Sequence, residues 1–347
     1  MSRYFFVGSA GSAARAIFAP LLFAVVALGG MAVPGAAQEA HVLIVAGLGG
    51  EPQYRESFLE WGTQLSDAAV EAGVKPENLI FLAEDPETGH GKVRARSTRE
   101  EIERAFRETA ERAAPQDRVL VVLIGHGTGS GEESRVSIPG RSLTLADYRG
   151  FLELLAPRMV AFVNVASASG DFASALAGEG RVVVTATRSS QQRNAAIFGG
   201  HFVKAFIGEG ADLDRDGRVS ILEAFEFGRL ETERHYRDRG LISPEQALLE
   251  DRAQGSGVPL PMEDEAVGTL AGRFFLESVV PATVAGDASA ERLRELYLRQ
   301  EALEVEVAAL GQRRGTMEPA AYQAALEPLL LELATVGQEI RRLEEGR

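Results

Sequence analysis

Val119-Leu-Val-Val-Leu-Ile124 runs without a polar residue straight into Gly125-His126-Gly127-Thr128-Gly129. Six consecutive apolar residues, most of them β-branched, predict a strand covered on both faces, because a strand with one wet face alternates polar and apolar side chains. Four more runs have the same character: Val42 to Ala46, Leu79 to Ala83, Val160 to Val165 and Val182 to Thr185. Helical patterns lie between them. In Thr98 to Ala114, residues Ile102, Ala105, Phe106, Ala110 and Ala113 share one face and Arg and Glu take the other. Such alternation predicts an α/β fold, an open and mostly parallel sheet flanked by helices, with right-handed crossovers and ligands at the carboxyl ends of the strands.

Two strand ends carry candidate chemistry. His126, flanked by glycines just past its strand, places an imidazole at the sheet rim with backbone donors close by. The fourth run, Val160-Ala-Phe-Val-Asn164-Val-Ala166, leads into Ser167-Ala168-Ser169-Gly170-Asp171, small polar residues beyond a neighbouring strand. The first run ends in Gly47-Leu-Gly-Gly50, which lacks the third spaced glycine of a dinucleotide fingerprint. Glu51 and Pro52 stand where a helix N-terminus should face an anion, so this segment reads as a tight turn.

A buried strand ending in His-Gly, followed by a second strand that ends in a short acidic or amide residue and an Ala-Cys-x-Ser-Gly segment, resembles the caspase and legumain clan of cysteine peptidases. His126 and Gly127 fall on the His-Gly pair, Asn164 lies near the acid or amide position, and Ala166, Ala168, Ser169 and Gly170 surround the nucleophile position. Thr185-Ala-Thr-Arg188-Ser189 and the later Phe198-Gly199-Gly200-His201 look like the legumain-type branch. The similar segments span about His41 to Phe275. The resemblance implies a caspase-like sheet, a histidine acting on the leaving group, and an oxyanion hole made by the backbone amides at Gly127 and Ser167.

The nucleophile position holds Ser167, and the chain contains no cysteine. A thiol is a few per cent ionised at neutral pH, whereas a hydroxyl depends on a base that a third group orients. No carboxylate near His126 in sequence supplies that orientation. The expected protein is therefore a catalytically silent relative, a pseudopeptidase whose cleft binds a peptide or protein partner. The competing reading is an active hydrolase in which Ser167 attacks a carbonyl with His126 as base.

A separate motif follows. Asp212-Leu-Asp214-Arg-Asp216-Gly217-Arg218-Val-Ser220-Ile-Leu-Glu223 fills every position of the EF-hand-type calcium loop. Asp212, Asp214 and Asp216, the Arg218 carbonyl, Ser220 directly or through water, and a bidentate Glu223 can surround one Ca²⁺, while Gly217 permits the sharp turn. One such loop without a pair reads as a structural clip. A solvated acidic turn is the plainer alternative.

With 36 basic and 50 acidic residues, the net charge of −14 excludes the basic face that a nucleic-acid partner needs. The missing cysteine also excludes disulfides and thiolate metal sites. Arg3 and Arg15, the apolar Ile17 to Leu28 and the small residues Gly35-Ala36-Ala37 read as a signal peptide over residues 1–37. Cleavage and export, to the periplasm or outside, are preferred to a membrane anchor formed by residues 17–33, a stretch broken by Pro20, Gly29 and Gly30. Residues 38–280 then form the α/β domain and 281–288 a linker. In residues 289–347, Leu293, Leu296, Gln300, Leu303, Val307 and Leu310 make one heptad seam, and Tyr322 to Leu343 a second. These predict a coiled-coil-like helical hairpin, turning at Gly311 to Gly315 and bent at Pro328, that is stabilised by its own seam or used for self-association.

Overall fold

The computed structural model describes residues 38–89, 91–156, 158–208, 210–255, 257–263, 267–277 and 288–345. The expected signal peptide and nearly all of the expected linker lie outside these residues. Each of the five apolar runs is a strand of one sheet: β1 (Ala40–Ala46), β2 (Leu79–Ala83), β4 (Arg118–Ile124), β7 (Met159–Asn164) and β8 (Arg181–Thr185). They pair in parallel, in the order β2-β1-β4-β7-β8. Two short strands extend the edges, β3 (Ala95–Arg96) parallel to β2 and β9 (Leu248–Glu250) antiparallel to β8. A separate ribbon joins β5 (Gly127–Thr128) and β6 (Arg135–Val136) just beyond the end of β4.

Helices cover both faces, as the apolar runs require. Along β4, Leu120, Val122 and Ile124 enter one apolar cluster with Phe58 and Leu65 of α1 (Pro52–Glu71), Phe198 and Phe202 of α5 (Phe198–Lys204) and Phe225 of α6 (Ile221–Arg237). Val119, Val121 and Leu123 enter the other, with Ile102 and Phe106 of α2 (Arg99–Arg112), Tyr148 and Leu152 of α3 (Leu145–Leu154) and Phe172 of α4 (Asp171–Ala175). All of β4 is buried, and each such Val, Leu or Ile side chain contributes about 1.5–3 kcal/mol of transfer free energy. Local signals agree with these elements: Thr98 caps α2, and Thr144 with Asp147 forms a capping box on α3.

Tyr148 has no hydrogen-bond partner for its hydroxyl among the described residues, although the side chain is fully buried among Phe106, Phe151, Phe162 and Phe172. A buried unsatisfied hydroxyl costs about 1–3 kcal/mol. Tyr148→Phe is expected to raise stability by about 1 kcal/mol in urea melts, and a loss of stability would show that the hydroxyl has a bound partner.

The heptad seams form α7 (Ala288–Gln312) and α8 (Pro319–Glu345). Leu293, Leu296, Leu303, Val336 and Ile340 make a cluster of their own, distinct from the two clusters of the sheet. Pro328 lies inside α8. Among the described residues, no helix is long and apolar enough to cross a membrane.

Candidate functional site

The carboxyl ends of β1, β4, β7 and β8 converge on one rim. His126 stands two residues past β4, and its Nε2 lies 3.2 Å from the Gly49 carbonyl in the turn after β1. A carbonyl oxygen only accepts, so this contact places the proton on Nε2 and leaves Nδ1 as the basic atom of the neutral ring. Edge-to-face contacts with Tyr54 and Phe58, centroids at 4.8 and 5.1 Å, fix the plane of the imidazole. The orienting group that the sequence could not supply is thus a main-chain carbonyl and not a carboxylate.

Ser167 is buried at 2% exposure in the turn after β7. Its Oγ accepts the Gly127 N–H at 3.1 Å. Among the described residues there is no hydrogen bond between His126 and Ser167. Backbones approach closely here: a Cβ on Gly127 would sit 2.0 Å from the Ser167 carbonyl oxygen, and one on Gly170 would sit 2.2 Å from the Arg188 carbonyl carbon. Only glycine fits at either position. Between them Ala168 is held at φ 53°, a left-handed conformation costing a non-glycine residue about 1–2 kcal/mol, with its N–H donated to the Gln192 carbonyl at 2.8 Å.

The remaining residues expected near the site build this turn. Asn164 is wholly buried; its Oδ1 accepts the Ala166 N–H at 3.1 Å and its Nδ2 has no partner among the described residues. Ser169 Oγ accepts the N–H groups of Ala186 and Thr187, and Thr187 Oγ1 accepts the Gly170 N–H at 3.1 Å. Asp171, at the start of α4, ties the turn to the loop beyond β5 by accepting from the Gly131 N–H at 2.7 Å and the Ser134 hydroxyl at 2.8 Å. Ser169 and Asn164 are therefore scaffold for the turn, while Ser167 Oγ meets the Gly127 amide and His126, the residue before Gly127, packs against Gly49, Tyr54 and Phe58.

One buried acid steadies the neighbouring helix. Glu245, at 7% exposure, accepts the N–H groups of Ile197 and Phe198 at the start of α5 and the Tyr236 hydroxyl at 3.0 Å. Burial raises its pKa above the ordinary carboxylate value, against those three donors. A raised folded-state pKa means that the folded protein holds the proton more tightly, so this group's stabilisation is complete at low pH and is lost as pH rises from the unfolded pKa through the folded one. Stability measured in urea is expected to fall through this window in the wild type, with the component missing in Glu245→Gln. An unchanged slope in the variant would assign the dependence to another group.

The acidic loop lies between α5 and α6. Carboxylate oxygens of Asp212, Asp214 and Asp216 all lie within 4.8 Å of one another. Asp212 accepts the Asp216 and Gly217 N–H groups at 3.1 and 3.0 Å, which curls the chain around the three acids. Glu223 closes the loop: Oε1 accepts the Leu213 N–H at 2.8 Å, and Oε2 accepts from the Ser220 N–H and hydroxyl, both at 2.8 Å. Ser220 and Glu223 thereby double as the capping box of α6. Burial, first, and the neighbouring acids raise the Asp214 pKa, a sign of uncompensated negative charge. Arg218 opposes a cation, because its guanidinium already binds Asp216 at 2.8 and 3.1 Å.

No family model and no curated protein matches the chain. Among solved structures it is similar to protein GSU0716 from Geobacter sulfurreducens, at 11% identity and a TM-score of 0.42, over 64% of this chain and 98% of that one.

Proposed function

We propose that the protein is an exported, catalytically silent member of the caspase and legumain clan, a pseudopeptidase whose cleft binds a peptide or protein partner. The observation that carries this reading is the Gly127 N–H donated to Ser167 Oγ, while His126 holds the Gly49 carbonyl. Catalysis would need the amide directed at a substrate oxygen and Nδ1 of the oriented imidazole hydrogen-bonded to the attacking hydroxyl, a bond that is absent among the described residues. A hydroxyl is a good acceptor, so Ser167 keeps the proposed oxyanion donor occupied. Active hydrolysis with Ser167 as nucleophile and His126 as base is the outcome that would displace this proposal. The test is turnover of a mixed peptide library by the wild type and Ser167 variants.

The second element of the proposal is one structural Ca²⁺. The residues present fit it in that three aspartates converge, while Glu223, now held by the Leu213 and Ser220 N–H groups, would have to join them. Asp212, Asp214, Asp216 and Glu223 would hold the ion, with the Arg218 carbonyl and Ser220 completing the shell. Bound there, the ion would supply positive charge among mutually repelling acids and fix the junction between α5 and α6. Arg218 would have to release Asp216, which sets the expected affinity toward the weak end of such loops.

A further inference from the structure

The α7–α8 hairpin and the sheet meet across a cleft of about 780 Å³ at the amino ends of the strands, the end opposite His126. Half of the residues that line it are charged, and on the core wall Glu71, Asp216 and Glu277 stand among the arginines. Arg118, the first residue of β4, is 4% exposed and gives Nη2 to Glu301 of α7 at 2.7 Å. Its Nε is buried without a partner among the described residues. Phe275 lies between two guanidinium groups, Arg218 at 3.9 Å and Arg118 at 6.0 Å from the ring centroid. Arg273 lines the core wall and Glu304 stands beside Glu301 on the hairpin wall. The apolar side chains that α7 and α8 bury against each other form a cluster that includes none of the residues of the sheet's two clusters.

Apolar burial makes two elements one cooperative unit, whereas a contact through charge is selective and removable. We infer that the hairpin is a releasable arm, and that the face formed by Arg118, Arg218, Arg273 and Phe275 is a seat for an acidic helix whose resident occupant is the chain's own α7, held by Glu301. The arm keeps its structure when it leaves, because its seam travels with it. What the core loses is one partner for Arg118, the residue least able to do without one.

The chain has no cysteine, so pairs of introduced ones carry spin labels at chosen positions only. One pair spans core and arm, Glu111→Cys with Leu331→Cys, both at exposed positions; a second lies within the arm, Val305→Cys with Leu331→Cys. In the full-length protein, Glu301→Lys is expected to raise the undocked population at least about tenfold, seen as a long, broad core-to-arm distance distribution. The distance within the arm should stay unchanged. Arg118→Glu added to Glu301→Lys should restore the short distance if the double variant folds; Glu301→Lys alone decides the matter if it does not. An unchanged core-to-arm distance in Glu301→Lys would overturn the ionic seat, and loss of both distances together would show that arm and core are one folding unit.

Discussion

Under the proposed function, Ser167→Cys is expected to cleave peptides, with turnover higher than that of the wild type by roughly 10²–10⁴-fold. On the same proposal, the site retains two parts that a thiol would use. His126 is held by the Gly49 carbonyl and by Tyr54 and Phe58, with Nδ1 as its free basic atom. A sulfur accepts hydrogen bonds weakly, so the Gly127 N–H now spent on Ser167 Oγ becomes available to a substrate oxygen. The same change thus supplies a partly ionised nucleophile and vacates its oxyanion donor. Wild type and Ser167→Ala should be equally inert, and adding His126→Ala to Ser167→Cys should remove most of the gained rate. If wild type turns over and both Ser167→Ala and His126→Ala do not, the protein is a serine peptidase and the proposed silence is wrong.

The second large effect concerns calcium. With a dissociation constant of about 10⁻⁴ to 10⁻³ M, 10 mM Ca²⁺ should stabilise the fold by about 1.4–2.7 kcal/mol, or roughly 3–8 °C in Tm. Asp212→Ala should abolish the shift, since Asp212 also organises the turn through the Asp216 and Gly217 N–H groups. Arg218→Gln should bind the ion more tightly, because Asp216 loses its competing partner. Calorimetry on the three proteins checks both statements. Absence of heat and of a thermal shift in the wild type at millimolar Ca²⁺ would make this loop a capped acidic turn.

The central strands were legible because burial on both faces leaves nothing polar in the run; β4 and β7 announce themselves from Val119 and Val160 onward. The edge strands β3 and β9, of two and three residues, are too short for any period to show. The hairpin was readable from heptads, since the apolar residues of its seam, Leu293, Leu296, Leu303, Val336 and Ile340 among them, meet each other. At the rim, His126 and Ser167 stood out by position, but the groups that fix them did not. Gly49 and Gln192 act through their carbonyls, which every residue owns, and Tyr54 and Phe58 look in sequence like any inward face of α1. Arg118 was hidden for a similar reason: a cation at the start of a strand reads as the edge of the core, and only its partner 183 residues later gives it a second meaning.

The buried hydroxyl at Ser167 also has a bearing on chemical durability. A thiolate at that position would climb from sulfenic to sulfinic acid under peroxide, and each step would put charge and bulk into a turn where Gly127 and Gly170 leave no room for even a Cβ. An alcohol has no such ladder. Under the proposed function, a partner recognised around Ser167 would meet the same shape in oxidant and reductant alike, and its binding would not depend on the electron balance of the surroundings.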